Sequence, residues 1–124
     1  MLLTRDTAKS PVLPEEVVPF PPAGGEVLVR GLLMTQRLAN ERLQQADRVP
    51  LEGETEVDAQ ARAGARVVTR TLHQAVVDDQ GQPLFTEHEW DVYGSDLKAR
   101  SHVFRVFNIA MRLSGHDLEV IEKN

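Results

Sequence analysis

The spacing between apolar residues changes several times along the chain, and each change marks a new segment. Residues 26–30 alternate between polar and apolar side chains and are flanked by Gly25 and Gly31, which is typical of one short strand. From Thr35 the apolar residues recur every three or four positions. This spacing predicts a helix that Thr35 caps and that ends before Pro50.

A second helix is predicted to begin after Thr55, because Thr55 and Asp58 have the spacing of a capping arrangement. Its apolar residues recur at helical spacing and are Val57, Ala61, Ala65, Val68, Leu72 and Ala75 or Val76. Arginines stand at every fourth position of the same helix, at Arg62, Arg66 and Arg70. Such a stripe is typical of a solvated face, and a binding surface is the alternative.

The end of the second helix has two interpretations. Residues 67–77 are rich in β-branched side chains, and residues 78–83 have the composition of a strong turn. Residues 67–85 therefore form either the end of the helix with a turn, or a hairpin that gives strand 26–30 a neighbour.

Residues 85–90 carry the signals of a helix start. Thr86 and Glu89 have the spacing of a capping box, in which each side chain accepts a hydrogen bond from the backbone of the other. Phe85 before the cap and Trp90 in the first turns are placed to pack together as a hydrophobic staple. Gly94 is predicted to end this short helix.

A long amphipathic helix is predicted from a cap at Ser95 to about Leu113. Its apolar arc is wider than one neighbouring element requires, so it packs either wholly inside the molecule or partly against another protein. The candidate surface for a partner or for self-association comprises Leu97, Val103, Phe104, Phe107 and Met111.

Five of the seven prolines lie in the first 25 residues. Because proline fixes φ and lacks an N–H donor, this segment is excluded from helices and central strands. The predicted organisation is an extended Pro-rich arm at 1–25, a single helical domain at 26–115 and a short tail at 116–124. The fold class is mainly α with a small β element (α+β), with about four helices and a short N-terminal strand or hairpin.

Composition narrows the possible partners. The net charge of −5 and the absence of a basic cluster argue against nucleic-acid binding. No apolar run approaches the length of a membrane span, so no membrane partner is predicted. The chain has no cysteine, which excludes disulfides and thiolate chemistry.

No residue is predicted to act in catalysis or to bind a cofactor or a metal. His88 and Glu89 match the start of the zinc-protease pattern H-E-x-x-H, but Val92 occupies the position of the second histidine. A small metal-dependent hydrolase that uses His88 is therefore the least favoured interpretation. The carboxylates near His88 are explained by the helix start, where they interact favourably with the helix dipole.

In their order along the chain, these segments resemble the tail assembly chaperones of long-tailed bacteriophages and prophages. The resemblance covers about residues 17–124. It depends on the Pro-rich arm, the run GGEVLVRGL at 24–32, the run VVDDQGQPLFT at 76–86, and the short acidic helix, glycine and long helix that follow.

The resemblance implies a small, mostly helical, non-enzymatic protein that binds the tape measure protein and helps recruit the major tail protein. It also implies self-association into a homo-oligomer, a location in the cytoplasm of the bacterial host, and absence from the finished virion. A structural tail or head-tail joining protein that stays in the virion is the alternative.

Overall fold

The computed structural model describes residues 1–115, which contain four α-helices and one three-stranded antiparallel sheet. The strands are β1 (Glu15–Phe20), β2 (Gly25–Arg30) and β3 (Val76–Val77). The helices are α1 (Met34–Asp47), α2 (Glu56–Ala75), α3 (Glu87–Ser95) and α4 (Arg100–Leu113). The predicted α+β class is confirmed. The predicted tail at 116–124 lies outside the described residues.

Part of the Pro-rich segment belongs to the sheet. β1 pairs with β2 in antiparallel register, from Glu15 opposite Arg30 to Phe20 opposite Gly25. The strand order is β1-β2-β3, so β1 is an edge strand, the position in which Pro19 is tolerated because no partner needs its missing N–H. Residues 15–20 of the predicted arm are thus extended, as expected, and are docked on the domain.

Arginines of α4 attach β1 from a second direction. Arg105 donates a hydrogen bond to the carbonyl of Pro19. Arg112 forms an ion pair with Glu16 at 2.6 Å. These contacts join the first strand to the last described helix, far apart in sequence.

Of the two helix caps predicted in the first half of the chain, the structure confirms one and contradicts the other. Thr55 caps α2 as predicted, and its hydroxyl accepts a hydrogen bond from the Asp58 amide at 3.1 Å. The prediction for Thr35 is wrong, because α1 begins at Met34 and Thr35 lies inside its first turn. Gln36 takes the capping role instead, since its side-chain oxygen accepts from the Leu33 amide at 2.9 Å.

All three arginines of the α2 stripe form ion pairs, so the prediction of a simple solvated face is corrected. Arg62 forms an ion pair with Glu54 at 3.0 Å. Arg66 and Arg70 both reach Asp47 at the end of α1, at 3.7 and 2.9 Å. Two of the three arginines thus bind α1 to α2.

The observed structure of residues 67–85 combines features of both interpretations. α2 continues to Ala75, and the next two residues form β3, which pairs with β2 through Leu28 opposite Val77 and Val29 opposite Val76. The turn that follows is closed by the Asp78 carboxylate, which accepts from the backbone amides of Gln80 and Gln82. Strand 26–30 therefore gains the neighbour that the hairpin alternative required.

The start of α3 has the predicted capping box. The Thr86 hydroxyl accepts from the Glu89 amide at 3.1 Å, and the Glu89 carboxylate accepts from the Thr86 amide at 3.0 Å. Phe85 and Trp90 form the staple, with ring centroids 5.2 Å apart and planes at 90°. Local spacing alone thus fixes where this helix begins.

The junction between α3 and α4 differs from the prediction. Gly94 lies inside α3 and does not end it, and Ser95 is its last residue, with its hydroxyl donating to the Asp91 carbonyl. Asp96 makes the turn instead: its carboxylate accepts from the Lys98 amide at 2.9 Å. α4 consequently begins at Arg100, five residues after the predicted cap.

One hydrophobic core joins the sheet to three helices. It consists of Val18, Phe20, Val27, Val29, Leu32, Leu72, Ala75, Val76, Trp90, Val103, Val106 and Ala110. Phe20 from the Pro-rich segment is fully buried in this core, among the rings of Phe85, Trp90 and Tyr93.

Gly31, directly after β2, lies against the end of α4. A β-carbon at this position would collide with the Leu113 carbonyl oxygen and lie 3.0 Å from its carbonyl carbon. Beside it, the Ser114 hydroxyl accepts from the Leu32 amide at 2.9 Å and donates to the Ala110 carbonyl at 2.6 Å. The end of β2 and the end of α4 are therefore fixed together by backbone contact.

We expect Thr86→Ala to lower the free energy of unfolding by about 1 kcal/mol, the usual loss when a capping hydroxyl is removed. Chemical denaturation followed by circular dichroism measures this. Thr35→Ala is the matched control, because Thr35 is exposed within α1 and is not its cap. Equal effects of the two substitutions would contradict the assignment of the caps.

We expect Gly31→Ala to lower the free energy of unfolding by about 1–3 kcal/mol, because the added methyl group forces backbone apart in a packed region. Gly64→Ala is the control: no atom lies within 4 Å of a β-carbon at Gly64, in the middle of α2. It should stabilise the protein by up to about 1 kcal/mol through helix propensity. A Gly31→Ala variant as stable as the parent protein would refute the close contact.

Acid should remove the contribution of the Glu54–Arg62 pair. The hydrogen bond from Arg62, followed by that from the Leu51 amide, lowers the pKa of Glu54 below its ordinary value of 4.5. Folding thus favours the carboxylate form of Glu54. Its contribution to the free energy of unfolding is present above pH 4.5 and is lost as the pH falls through the lowered pKa. We expect Glu54→Gln to lower the Tm at pH 7 and to match the parent protein at strongly acidic pH.

Glu52→Gln serves as the control for this pH series, because Glu52 is exposed in the same connector. Its Tm should follow that of the parent protein at every pH. A Glu54→Gln effect that is the same at neutral and strongly acidic pH would contradict a role of the Glu54 charge.

Candidate binding surface

An open groove of about 920 Å³ runs between α2, α3 and α4, and is called the interhelical groove below. α2 forms one wall, α3 the second, and the first turns of α4 the third. Its lining residues are Gln60, Ala61, Gly64, Ala65, Val68, Thr69, Trp90, Asp91, Gly94, Ser95, Arg100, Val103 and Phe104. The lining is largely apolar, with few charged groups.

Small residues make the groove wide. α2 contributes Ala61, Gly64, Ala65 and Val68, which have the spacing of one helix face. Gly94 contributes a second side-chain-free position from α3. Because these residues carry little or no side chain, they leave room for another element to approach the helix backbones closely.

Two aromatic residues of different exposure line the groove. Trp90 is fully buried and belongs to both the core and the groove lining. Its indole Nε1 is buried and has no hydrogen-bond acceptor within residues 1–115. Phe104 is 47% exposed, which is unusual for a phenylalanine in a helix that also supplies core residues. The groove therefore exposes apolar surface of Phe104, and the buried Trp90 ring forms part of its lining.

Polar groups near the groove hold the α3–α4 junction in place. Arg100 donates from Nε to the Gly94 carbonyl at 2.9 Å, which ties the start of α4 to the end of α3. Asp91 lines the groove and, with Arg62, Arg66 and His88, also lines a shallow neighbouring depression. The rim thus carries both signs of charge.

The five residues of the candidate surface predicted from the sequence do not lie together in the structure. Val103 and Phe104 lie together in the groove, although Val103 is only 2% exposed. Leu97 is 80% exposed in the turn before α4 and does not line the groove. Phe107 packs against the core, and Met111 lines a different cleft between α1, α2 and α4.

α2 also contributes to this surface, although the predicted surface residues all lie at the C-terminal end of the chain. In the apolar stripe of α2, Ala61 and Ala65 are exposed, as is Val57. In the first half of α2, Ala59 and Ala63 are buried instead. The signal was present as small residues at helical spacing, but periodicity alone does not tell a covered face from an open one.

The arrangement around His88 does not form a metal centre. His88 is exposed, and no group of three or more metal-ligating side chains occurs within residues 1–115. His73 is engaged elsewhere, since its Nδ1 lies 2.8 Å from the Phe85 carbonyl oxygen. In the same residues, no helix combines the length and apolar character needed to cross a bilayer.

No protein-family model matches this chain, and searches of curated proteins and of solved structures return no similar protein.

Proposed function

We propose that this chain is a phage tail assembly chaperone that binds the tape measure protein and helps recruit the major tail protein, without enzymatic activity. The observation that carries the proposal is the open, largely apolar interhelical groove with Phe104 half-exposed beside it. Contiguous exposed apolar surface of this kind marks interaction sites on soluble proteins. The order of sequence segments described above supports the choice of this family.

The shape of the groove suits a helical segment of the partner. Helices that bind in grooves place apolar residues at three- and four-residue spacing against an apolar lining. Gly64 of α2 and Gly94 of α3 both line the groove and carry no side chain, so a helix has room to approach both backbones. Phe104 would then pack on the apolar face of the bound helix. A tape measure protein is long and helical, and offers many such segments.

The same surface accommodates self-association before the partner arrives. In this proposal the protein is a homo-oligomer in the cytoplasm of the bacterial host, the apolar groove is covered by another copy, and the tape measure protein competes for it. Burial of Phe104 in either complex contributes favourably to the free energy of binding. The protein leaves when the tail is complete and is absent from the virion.

Trp90 is the only tryptophan of the chain and lines the groove, so its fluorescence reports on binding there. We expect a tryptophan-free fragment of the tape measure protein to change the Trp90 emission saturably. Phe104→Glu should weaken binding at least tenfold, because a carboxylate would face the apolar side of the bound helix.

Leu43→Glu is the matched control, since Leu43 on α1 is 46% exposed, close to the value for Phe104, and lies outside the groove. It should bind normally. Equal losses in both variants, or no binding by the parent protein, would refute the proposed site.

Mass spectrometry of purified virions separates the chaperone from a structural tail or head-tail joining protein. A chaperone should be absent from particles while being abundant in the infected cell. Stoichiometric amounts in the virion would overturn the chaperone proposal in favour of the structural one.

A further inference from the structure

A second cavity lies against a different face of α2 and is called the arginine cleft below. It has a volume of about 160 Å³ and lies between α1, α2 and α4. Since water occupies about 30 Å³ in the liquid, this space holds several waters or one small polar group. Its apolar lining consists of Leu32, Val67 and Met111.

Arg70 supplies the polar feature that sets this cleft apart. Its side chain is 10% exposed, and its Nη2 donates to Asp47 at 2.9 Å. The other terminal nitrogen, Nη1, is buried and has no acceptor within residues 1–115. A guanidinium group carries donors on both terminal nitrogens, so Asp47 satisfies only one side of it. The unsatisfied side requires an acceptor.

The charges around the cleft disfavour a highly charged anion. Arg37 and Arg70 line it together with Glu41, and Asp47 pairs with Arg70 from the end of α1. These two arginines and two carboxylates balance in charge. Glu41 opposes a doubly charged ion more strongly than a singly charged one. Asn40 does not compete for the ligand, because its side-chain amide is paired with that of Gln74 at 2.7 Å.

We propose that the arginine cleft binds an aliphatic carboxylate, the chemistry of an Asp or Glu side chain. The carboxylate oxygens accept from the free side of the Arg70 guanidinium, in the geometry that arginine favours for this group. The aliphatic stem packs on the apolar lining. This site is separate from the interhelical groove, and the inference does not depend on the function proposed for the chain.

Titration of the full-length ¹⁵N-labelled protein with acetate tests the proposal, with chloride exchanged to keep the ionic strength constant. We expect saturable shifts of the Arg70 side-chain signal and of backbone amides in residues 67–71. Inorganic phosphate is the comparison anion and should bind more weakly. Absence of a saturable shift would mean that water alone occupies the cleft, and tighter binding of phosphate would exclude a carboxylate site; either result overturns the proposal.

Two neighbouring glutamines provide matched variants that leave Arg70 in place. Gln44 lines the cleft, and Gln45 is exposed and does not. Gln44→Glu should weaken acetate binding at least about fivefold by charge repulsion, whereas Gln45→Glu adds the same charge away from the cleft and should change it little. Equal effects of the two substitutions would show that acetate affinity depends only on the overall charge of the protein, and would overturn the proposed site.

A further variant identifies where the natural carboxylate comes from. Asp117, Glu119 and Glu122 follow the end of α4 in the sequence. Their combined replacement by the corresponding amides should tighten acetate binding if these residues compete for the cleft. Unchanged affinity would show that none of these three side chains occupies the cleft, which assigns the site to a carboxylate of another molecule only if acetate itself binds saturably.

Discussion

Contacts among four aromatic rings hold together parts of the chain that are otherwise weakly connected. Phe20 from β1 packs against Phe85, Trp90 and Tyr93 at centroid distances of 6.5, 5.5 and 5.2 Å. Such pairs contribute about 0.5–1.5 kcal/mol each beyond the burial of their area. β1 is a proline-containing edge strand with one neighbour, so its position depends on Phe20 as much as on the sheet.

The same rings determine that the interhelical groove exists. Trp90 is fixed by Phe85 at the start of α3 and by Phe20 from the sheet, and it lines the groove from below. Because α3 is only nine residues long, it has little stability of its own and takes its orientation from this cluster. The position of the α3 wall of the groove therefore depends on aromatic packing, and the small residues of α2 leave space beside it.

The features predicted correctly from the sequence are those that depend on neighbours within four residues. The caps at Thr55 and Thr86 follow from spacing along the chain, because donor and acceptor belong to the same turn. The errors at Thr35 and Ser95 arose where another nearby side chain, Gln36 or Asp96, satisfied the backbone instead. The burial of Phe20 and the exposure of Ala61 depend on contacts distant in sequence, and apolar periodicity does not encode which face meets a partner.

The position of Gly64 links stability to function in this fold. Glycine in the interior of a helix costs about 1 kcal/mol relative to alanine, and no neighbouring atom requires its small size. Within residues 1–115 the glycine thus departs from the local rule without a packing gain. It lines the interhelical groove at the centre of α2. In the proposed function, this position without a side chain lets a bound helix approach α2 closely, which would offset the cost to the helix.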